Sequence, residues 1–223
     1  MPASTEIIFG TQRLVLLADR ALHWPTRQTL VLADVHLGKD ASFRAAGLPV
    51  PAGNSAKDLA RIEALLSLTG AARLIILGDL VHNRASHQPE LAAAFSAWRA
   101  LRPRLEILLI RGNHDRHAGP PPPDWHISQV SERLDTGAIA LAHMPQPSEK
   151  PLLCGHVHPT VAVRDFDRSF AAIPCFVADP AQLILPAFGS FIGGYKVRPE
   201  PQRKIYAVTG NSVVLLPDTI EKA

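Results

Sequence analysis

The sequence predicts an α/β layered fold of two packed sheets in one domain, with helices outside. Three observations carry this. Between Thr29 and Ile110, short apolar runs alternate with amphipathic stretches in the order strand, helix, strand, helix, strand. Beyond that point short apolar runs follow one another, separated by turn residues. Polar residues able to bind metal recur where the strands should end, the place where α/β sheets form ligand sites.

The elements follow in order. Arg13–Leu17 (RLVLL) and Thr29–Ala33 (TLVLA) read as strands. Residues 56–68 carry Leu59, Ile62, Leu65 and Leu66 at helical spacing, with Asn54 or Ser55 as cap and Gly70 as terminator. Leu74–Leu77 (LIIL) is a buried strand, Pro89–Leu101 a helix with proline in its first turn, and Leu105–Ile110 another strand. Gly119–Asp124 (GPPPPD) is a stiff extended loop rather than a domain linker. Strands are expected at 138–141, 152–154, 160–163, 173–177, 183–185, 205–208 and 213–216. Residues 1–217 are expected to form a single domain and 218–223 a short frayed tail.

With 223 residues, 47% of them hydrophobic, the chain can bury a sizeable core. A net charge of +3 without a basic run allows a polyanionic substrate and does not demand one. Two cysteines, Cys154 and Cys175, make neither a disulfide framework nor a thiolate zinc site, so a cytoplasmic location is the expectation. Residues 1–10 do not read as a signal peptide, and no apolar run reaches membrane-spanning length.

The chemistry gathers in five motifs: Asp34-x-His36, Gly78-Asp79, Gly112-Asn113-His114-Asp115, a lone His143, and Gly155-His156-x-His158. Taken singly, each also reads as an ordinary turn, cap or surface histidine. Their order and their placement at strand ends join them into one site. On an extended backbone the pairs Asp34/His36 and His156/His158 would each point one way and act as clamps. A carboxylate such as Asp79 can bridge two cations, Asn113 offers an amide oxygen and His143 an imidazole. Mixed nitrogen and oxygen ligation without thiolate suits Mn, Fe, Zn or Ni better than Mg or Ca.

In these motifs the chain resembles the calcineurin-like metallophosphoesterase superfamily, whose pattern D-x-H, G-D, G-N-H-[DE], H, G-H-x-H is complete between residues 34 and 158. Residues 33–51, 77–84, 111–119 and 185–194 are further similar to the bacterial ligase-associated metallophosphoesterases, also called PdeM-type DNA endonucleases. The resemblance implies a four-layer α/β/β/α sandwich of two mixed sheets flanked by helices. It implies two divalent metal ions, manganese by preference. Asp34, His36, Asp79 and His158 would hold one, and Asp79, Asn113, His143 and His156 the other. It makes His114 a residue that faces the substrate and assists the leaving oxygen, with Asp115 either orienting it or capping the next turn. It also implies DNA as a substrate cut without regard to sequence, and association with a DNA ligase, a helicase and an exonuclease in repair.

Other residues are candidates by position. Arg111 and Arg116 flank the Gly-Asn-His-Asp motif and are candidate phosphate contacts, as is Arg44 after the first motif. Lys39, Phe43, His82 and Arg84 line the approach or are simply loop residues, and His117 reads as an exposed turn histidine. His23, His87 and His126 read as structural. The segment 187–194 is either a glycine-rich rim or a tight turn, with Phe188 and Phe191 expected in the core rather than stacked on a base. Two other functions stay open: a phosphomonoesterase or nucleotide phosphodiesterase for small substrates, and a non-catalytic binding protein on the same scaffold. Retention of every motif residue argues against the last. No nucleic-acid-binding module is present, so contact with DNA would rest on phosphate grip and be salt-sensitive.

Overall fold

The computed structural model of the chain describes residues 4–86, 88–164 and 170–217. His87 and the tail at 218–223 lie outside the described residues, and so do the expectations for them. The first sheet forms from β1 (Thr5–Phe9), β2 (Gln12–Leu17), β3 (Ala21–Trp24), β4 (Thr29–Leu32), β5 (Arg73–Leu77), β6 (Glu106–Ile110) and β7 (Ile127–Val130), in that spatial order. Strands β1 to β4 meander antiparallel, while β4 to β7 run parallel. Between the parallel strands lie α1 (Lys39–Ala45), α2 (Asn54–Thr69), α3 (Pro89–Leu101) and α4 (Asn113–Ala118).

The second sheet comprises β8 (Arg133–Asp135), β9 (Ala140–Ala142), β10 (Leu152–Cys154), β11 (Pro159–Arg164), β12 (Phe170–Ala178), β13 (Gln182–Ile184), β14 (Tyr195–Lys196), β15 (Lys204–Thr209) and β16 (Ser212–Leu215). It too is mixed: β9, β10 and β13 are parallel, and β8, β12, β15 and β16 join antiparallel.

Why the two sheets stack follows from the period of two along β4, β5 and β6. Leu30, Leu32, Leu74, Ile76, Ile107 and Leu109 face one way, into a core with Leu59, Ile62, Leu65 and Leu66 of α2 and Phe95 and Trp98 of α3. Val31, Ile75, Leu77 and Ile110 face the other way, onto Leu141, Leu153, Phe176, Leu183 and Leu185 of the second sheet. Strands apolar on both faces must be covered on both. At roughly 25 cal/mol per Å² of buried apolar surface, these two layers dominate the folding free energy.

The α/β class and the two mixed sheets are as expected. Helices α2 and α3 cover the first sheet. Among the described residues no α-helix follows α4, and the outer face of the second sheet carries only small apolar clusters such as Val161, Cys175, Val177, Ile205 and Ala207. Helix α3 begins and ends where the sequence places it, with Pro89 at its start. Helix α2 ends at Gly70, which is left-handed as the terminator requires, but Gly53 precedes it rather than a capping side chain. Ser55 turns its hydroxyl to the Gly38 N–H instead, at 2.8 Å, tying α2 to the start of α1.

Candidate metal centre

The five motifs sit at the carboxyl ends of β4, β5, β6, β9 and β10, so one edge of each sheet's parallel strands collects them. The candidate ligands are not presented by an extended backbone as the i, i+2 spacing suggests. Asp34, His36, Asp79, His156 and His158 all have positive φ, between 50° and 69°. Each such residue costs on the order of 1–3 kcal/mol, and Asp and His are among the residues that tolerate it. The chain therefore kinks at each ligand, and the kinks turn the side chains inward. The motif glycines follow from the same crowding. A Cβ at Gly112 would meet Asp79 Oδ1, one at Gly78 the His143 ring, and one at Gly155 would come within 2.6 Å of Asp34 Oδ2.

Each carboxylate has one oxygen pinned and one free. Asp34 Oδ2 accepts the His156 N–H at 2.8 Å, while Oδ1 is buried with no hydrogen-bond partner. Asp79 Oδ1 accepts the His114 N–H at 2.9 Å, leaving Oδ2 at 3.8 Å from His36 Nε2 and 3.5 Å from His143 Nε2. His143 donates its Nδ1–H to the Leu77 carbonyl at 2.9 Å, which assigns its tautomer and leaves Nε2 bare. That bare nitrogen lies 3.0 Å from Asn113 Oδ1 and 3.0 Å from His156 Nδ1. His158 Nε2 lies 3.4 Å from Asp34 Oδ1, and His36 Nε2 is buried and unpaired.

Buried polar atoms without partners, here Asp34 Oδ1 and His36 Nε2, are costly unless a cation joins them. The ligand atoms of Asp34, His36 and His158, and those of Asp79, His143 and His156, each lie within 4.8 Å of one another. Asp79 Oδ2 lies between the two groups. Buried carboxylate and imidazole atoms without protein partners are what divalent cations require, so the residues fit such a pair.

Electrostatics agree. Burial, followed by the neighbouring His114, His158, Lys39 and His82, depresses His36 to about 2 and keeps it neutral. Burial also lowers His156, with His143 adding to the effect. Burial raises Asp79 to about 6; Asp34 and Asp115 push the same way and His143 opposes them.

The remaining expected site residues are dispersed. His114 stands beside His36, ring centroids 4.8 Å apart, and donates its Nδ1–H to the His82 carbonyl at 2.6 Å. Asp115 does not orient it. That carboxylate is buried and accepts the backbone N–H groups of Asp79, Gly112 and Val81 at 2.7, 2.9 and 3.3 Å, which caps α4 and holds the Asp79 turn in place. Arg44 is held by Asp40 and by the carbonyls of Val50 and Pro51, closing its own loop. Arg116 is exposed and reaches only the Ser131 carbonyl, at 3.4 Å, and Arg111 is half-buried. Phe188 is fully buried, as expected, but Phe191 is exposed and meets Phe43 edge-on at 5.7 Å. The sequence reading gave His82 no definite place; it lies against both His36 and His114. Its position three residues after Asp79, on the same turn, was the available signal.

The segment 187–194 is more than a rim. Phe188 and Gly189 donate their N–H groups to the carbonyls of Ala33 and Asp34. Arg61 of α2 grips the Phe188 carbonyl at 2.9 Å and lies 4.1 Å above its ring, while buried Asp58 accepts from Ser190. The strap thereby locks the first ligand turn to α2.

This fold and centre define a class. Residues 28–168 match the calcineurin-like phosphoesterase family model, and the chain belongs to that family. Among solved structures it is similar to the nuclease MPE of Pseudomonas putida, with 40% identity over 96% of this chain and all of that one and a TM-score of 0.84. A phosphoesterase from E. coli, Yfce, is similar at 15% identity, covering 83% of this chain and 96% of its own, with a TM-score of 0.41. No curated protein matches. The protein is thus a metallophosphoesterase, a hydrolase of a family that uses divalent metal ions.

Proposed function

We propose that the chain is a manganese-dependent phosphodiesterase that cuts DNA as an endonuclease. The observation that carries this reading is the pair of ligand groups meeting at Asp79 Oδ2. Asp34, His36, Asp79 and His158 are assigned to one cation, and Asp79, Asn113, His143 and His156 to the other. Bound there, two divalent cations supply Lewis acidity and a nucleophilic water at neutral pH. The chain's own part is positioning. The pinned carboxylate oxygens and the kinked turns fix where the candidate ligands stand. His114, with its Nδ1–H fixed on the His82 carbonyl, presents Nε2 toward the site and, when protonated, offers its proton to the leaving oxygen. Asp115 supports it only through the turn. Arg111 and Arg116 are the proposed phosphate contacts; Arg44, committed to its loop, is a weaker candidate.

Similarity to a nuclease over nearly the whole chain favours DNA over a small monoester. The mixed nitrogen and oxygen ligand set suits Mn, Fe, Zn or Ni; manganese is proposed from the family resemblance. A ligase-associated repair role, with a helicase and an exonuclease, is proposed from the family resemblance. Residues 1–217 are proposed to act as one domain, since one core cluster joins both sheets. A cytoplasmic location is proposed from the free, buried Cys154 and Cys175; among the described residues no helix is long and apolar enough to cross a membrane.

The test runs supercoiled plasmid and a small phosphomonoester in parallel with purified protein and Mn²⁺. The expected result is nicking that stops with chelator and weakens steeply with salt. Phosphate release from the monoester without nicking would assign a small-substrate phosphatase instead.

A further inference from the structure

We propose that His82 is a positioning residue for the metal centre, accepting the Nδ1–H of His36 on its own Nδ1 and so keeping His36 Nε2 bare toward the metal. The inference rests on reading His36 as a metal ligand. Its observation is separate: the two Nδ1 atoms face each other at 3.3 Å.

Only one of two facing imidazole nitrogens can hold a proton if they are to attract. As a metal ligand, His36 binds through Nε2, which is buried, has no protein hydrogen-bond partner and lies 3.8 Å from Asp79 Oδ2, so Nε2 is the bare nitrogen. The proton of neutral His36 then sits on Nδ1 and is donated to His82. His82 therefore carries its own proton on Nε2. A metal-ligating histidine generally needs such an acceptor behind it, because the hydrogen bond fixes both ring orientation and tautomer.

The placement of His82 is itself fixed. Its carbonyl accepts the His114 Nδ1–H at 2.6 Å, and its ring stacks on His114 with centroids 4.9 Å apart and planes 21° apart. Phe43 closes the far side, edge-on at 6.0 Å. One residue thus sets the proton position on two histidines, by its ring for His36 and by its backbone for His114. The same three histidines also lie close enough to form a third ligand group, within 4.8 Å. A cation there would need His36 Nδ1 bare as well, which a neutral ring already bare at Nε2 does not provide.

The distinguishing experiment is manganese titration of His82→Ala, His82→Gln and His82→Asn, with Asp79→Ala as reference. An asparagine amide can put an oxygen where the histidine Nδ1 stood, whereas a glutamine amide reaches the Nε2 position. Manganese affinity should fall roughly 10- to 100-fold in the Ala and Gln variants and recover in the Asn variant. In the metal-free protein, nitrogen-15 chemical shifts should show His36 protonated at Nδ1 and His82 at Nε2.

Wild-type affinity in all three variants overturns the proposal, and so does equal loss in all three, which would mean the ring only packs. Three ions per chain, falling to two in His82→Ala, would overturn it in favour of a third site. If Asp79→Ala also binds manganese normally, it is the metal-centre reading that fails.

Discussion

His114 and Asp79 touch the same turn yet should fail differently. His114 has no ligand role in the proposed scheme, so His114→Ala should lower kcat on DNA by about 10²- to 10⁴-fold and leave bound metal unchanged. Elemental analysis beside a nicking assay checks both halves; loss of metal in that variant would make His114 a ligand. His36 carries a pH signature. Its folded pKa, about 2, lies far below its ordinary value of 6.5, so below pH 6.5 the unfolded chain binds a proton that the folded chain refuses. The metal-free protein should lose stability as pH falls from 7 toward 4. Asp79, raised to about 6, works oppositely between about 4 and 6, but its shift is the smaller. Thermal melts of metal-free protein should show this slope, flattened in His36→Gln; an equal slope in that variant would remove His36 as its source. The identities of these residues were legible as motifs. Their left-handed backbone was not, because the i, i+2 spacing reads equally well as an extended strand; the fact that Asp and His tolerate positive φ was the only cue.

Helices α2 and α3 show what makes an element readable. Both carry apolar residues at helical spacing, and each has a proline or glycine at a boundary. Helix α4, six residues long, begins with three motif residues and has no apolar stripe, and the short α1 is likewise without one. Strands β1 and β3 escaped notice because they are short and interrupted by polar residues. The segment 187–194 was legible only as a rim or a tight turn, since its partners Arg61 and Asp58 lie more than a hundred residues away. Its effect can be measured. Asp58→Ala removes the carboxylate that holds Arg61 and Ser190, and should cost about 1.5–3 kcal/mol in chemical denaturation. It should also weaken manganese binding, because the strap holds the Asp34 turn through the Phe188 and Gly189 N–H groups. Unchanged stability and unchanged binding would reduce the strap to a loop.

At the scale of the molecule, the proposed centre joins the two sheets. Asp34, His36, Asp79 and Asn113 follow strands of the first sheet, and His143, His156 and His158 follow strands of the second. A pair of cations there would act as a clasp across the sheet interface. Ligand binding only to the folded state adds RT ln(1 + [L]/Kd), about 2.7 kcal/mol at a hundredfold excess over Kd. Manganese should therefore raise the melting temperature in a concentration-dependent way, and chelator should reverse it; a melting temperature indifferent to both would detach the centre from the fold. The α/β class and the doubly covered strands were plain from the apolar runs. Which strands of the second half pair with which was not, because nothing in a strand's own residues names its neighbour.

The central claim is that seven residues hold two divalent cations with Asp79 between them. Manganese stoichiometry by isothermal titration, on the intact chain and on Asp79→Ala, tests it most directly. The account predicts two ions per chain, and loss of affinity at both sites in the variant. One ion per chain, or two ions still bound tightly after Asp79 is removed, would contradict it.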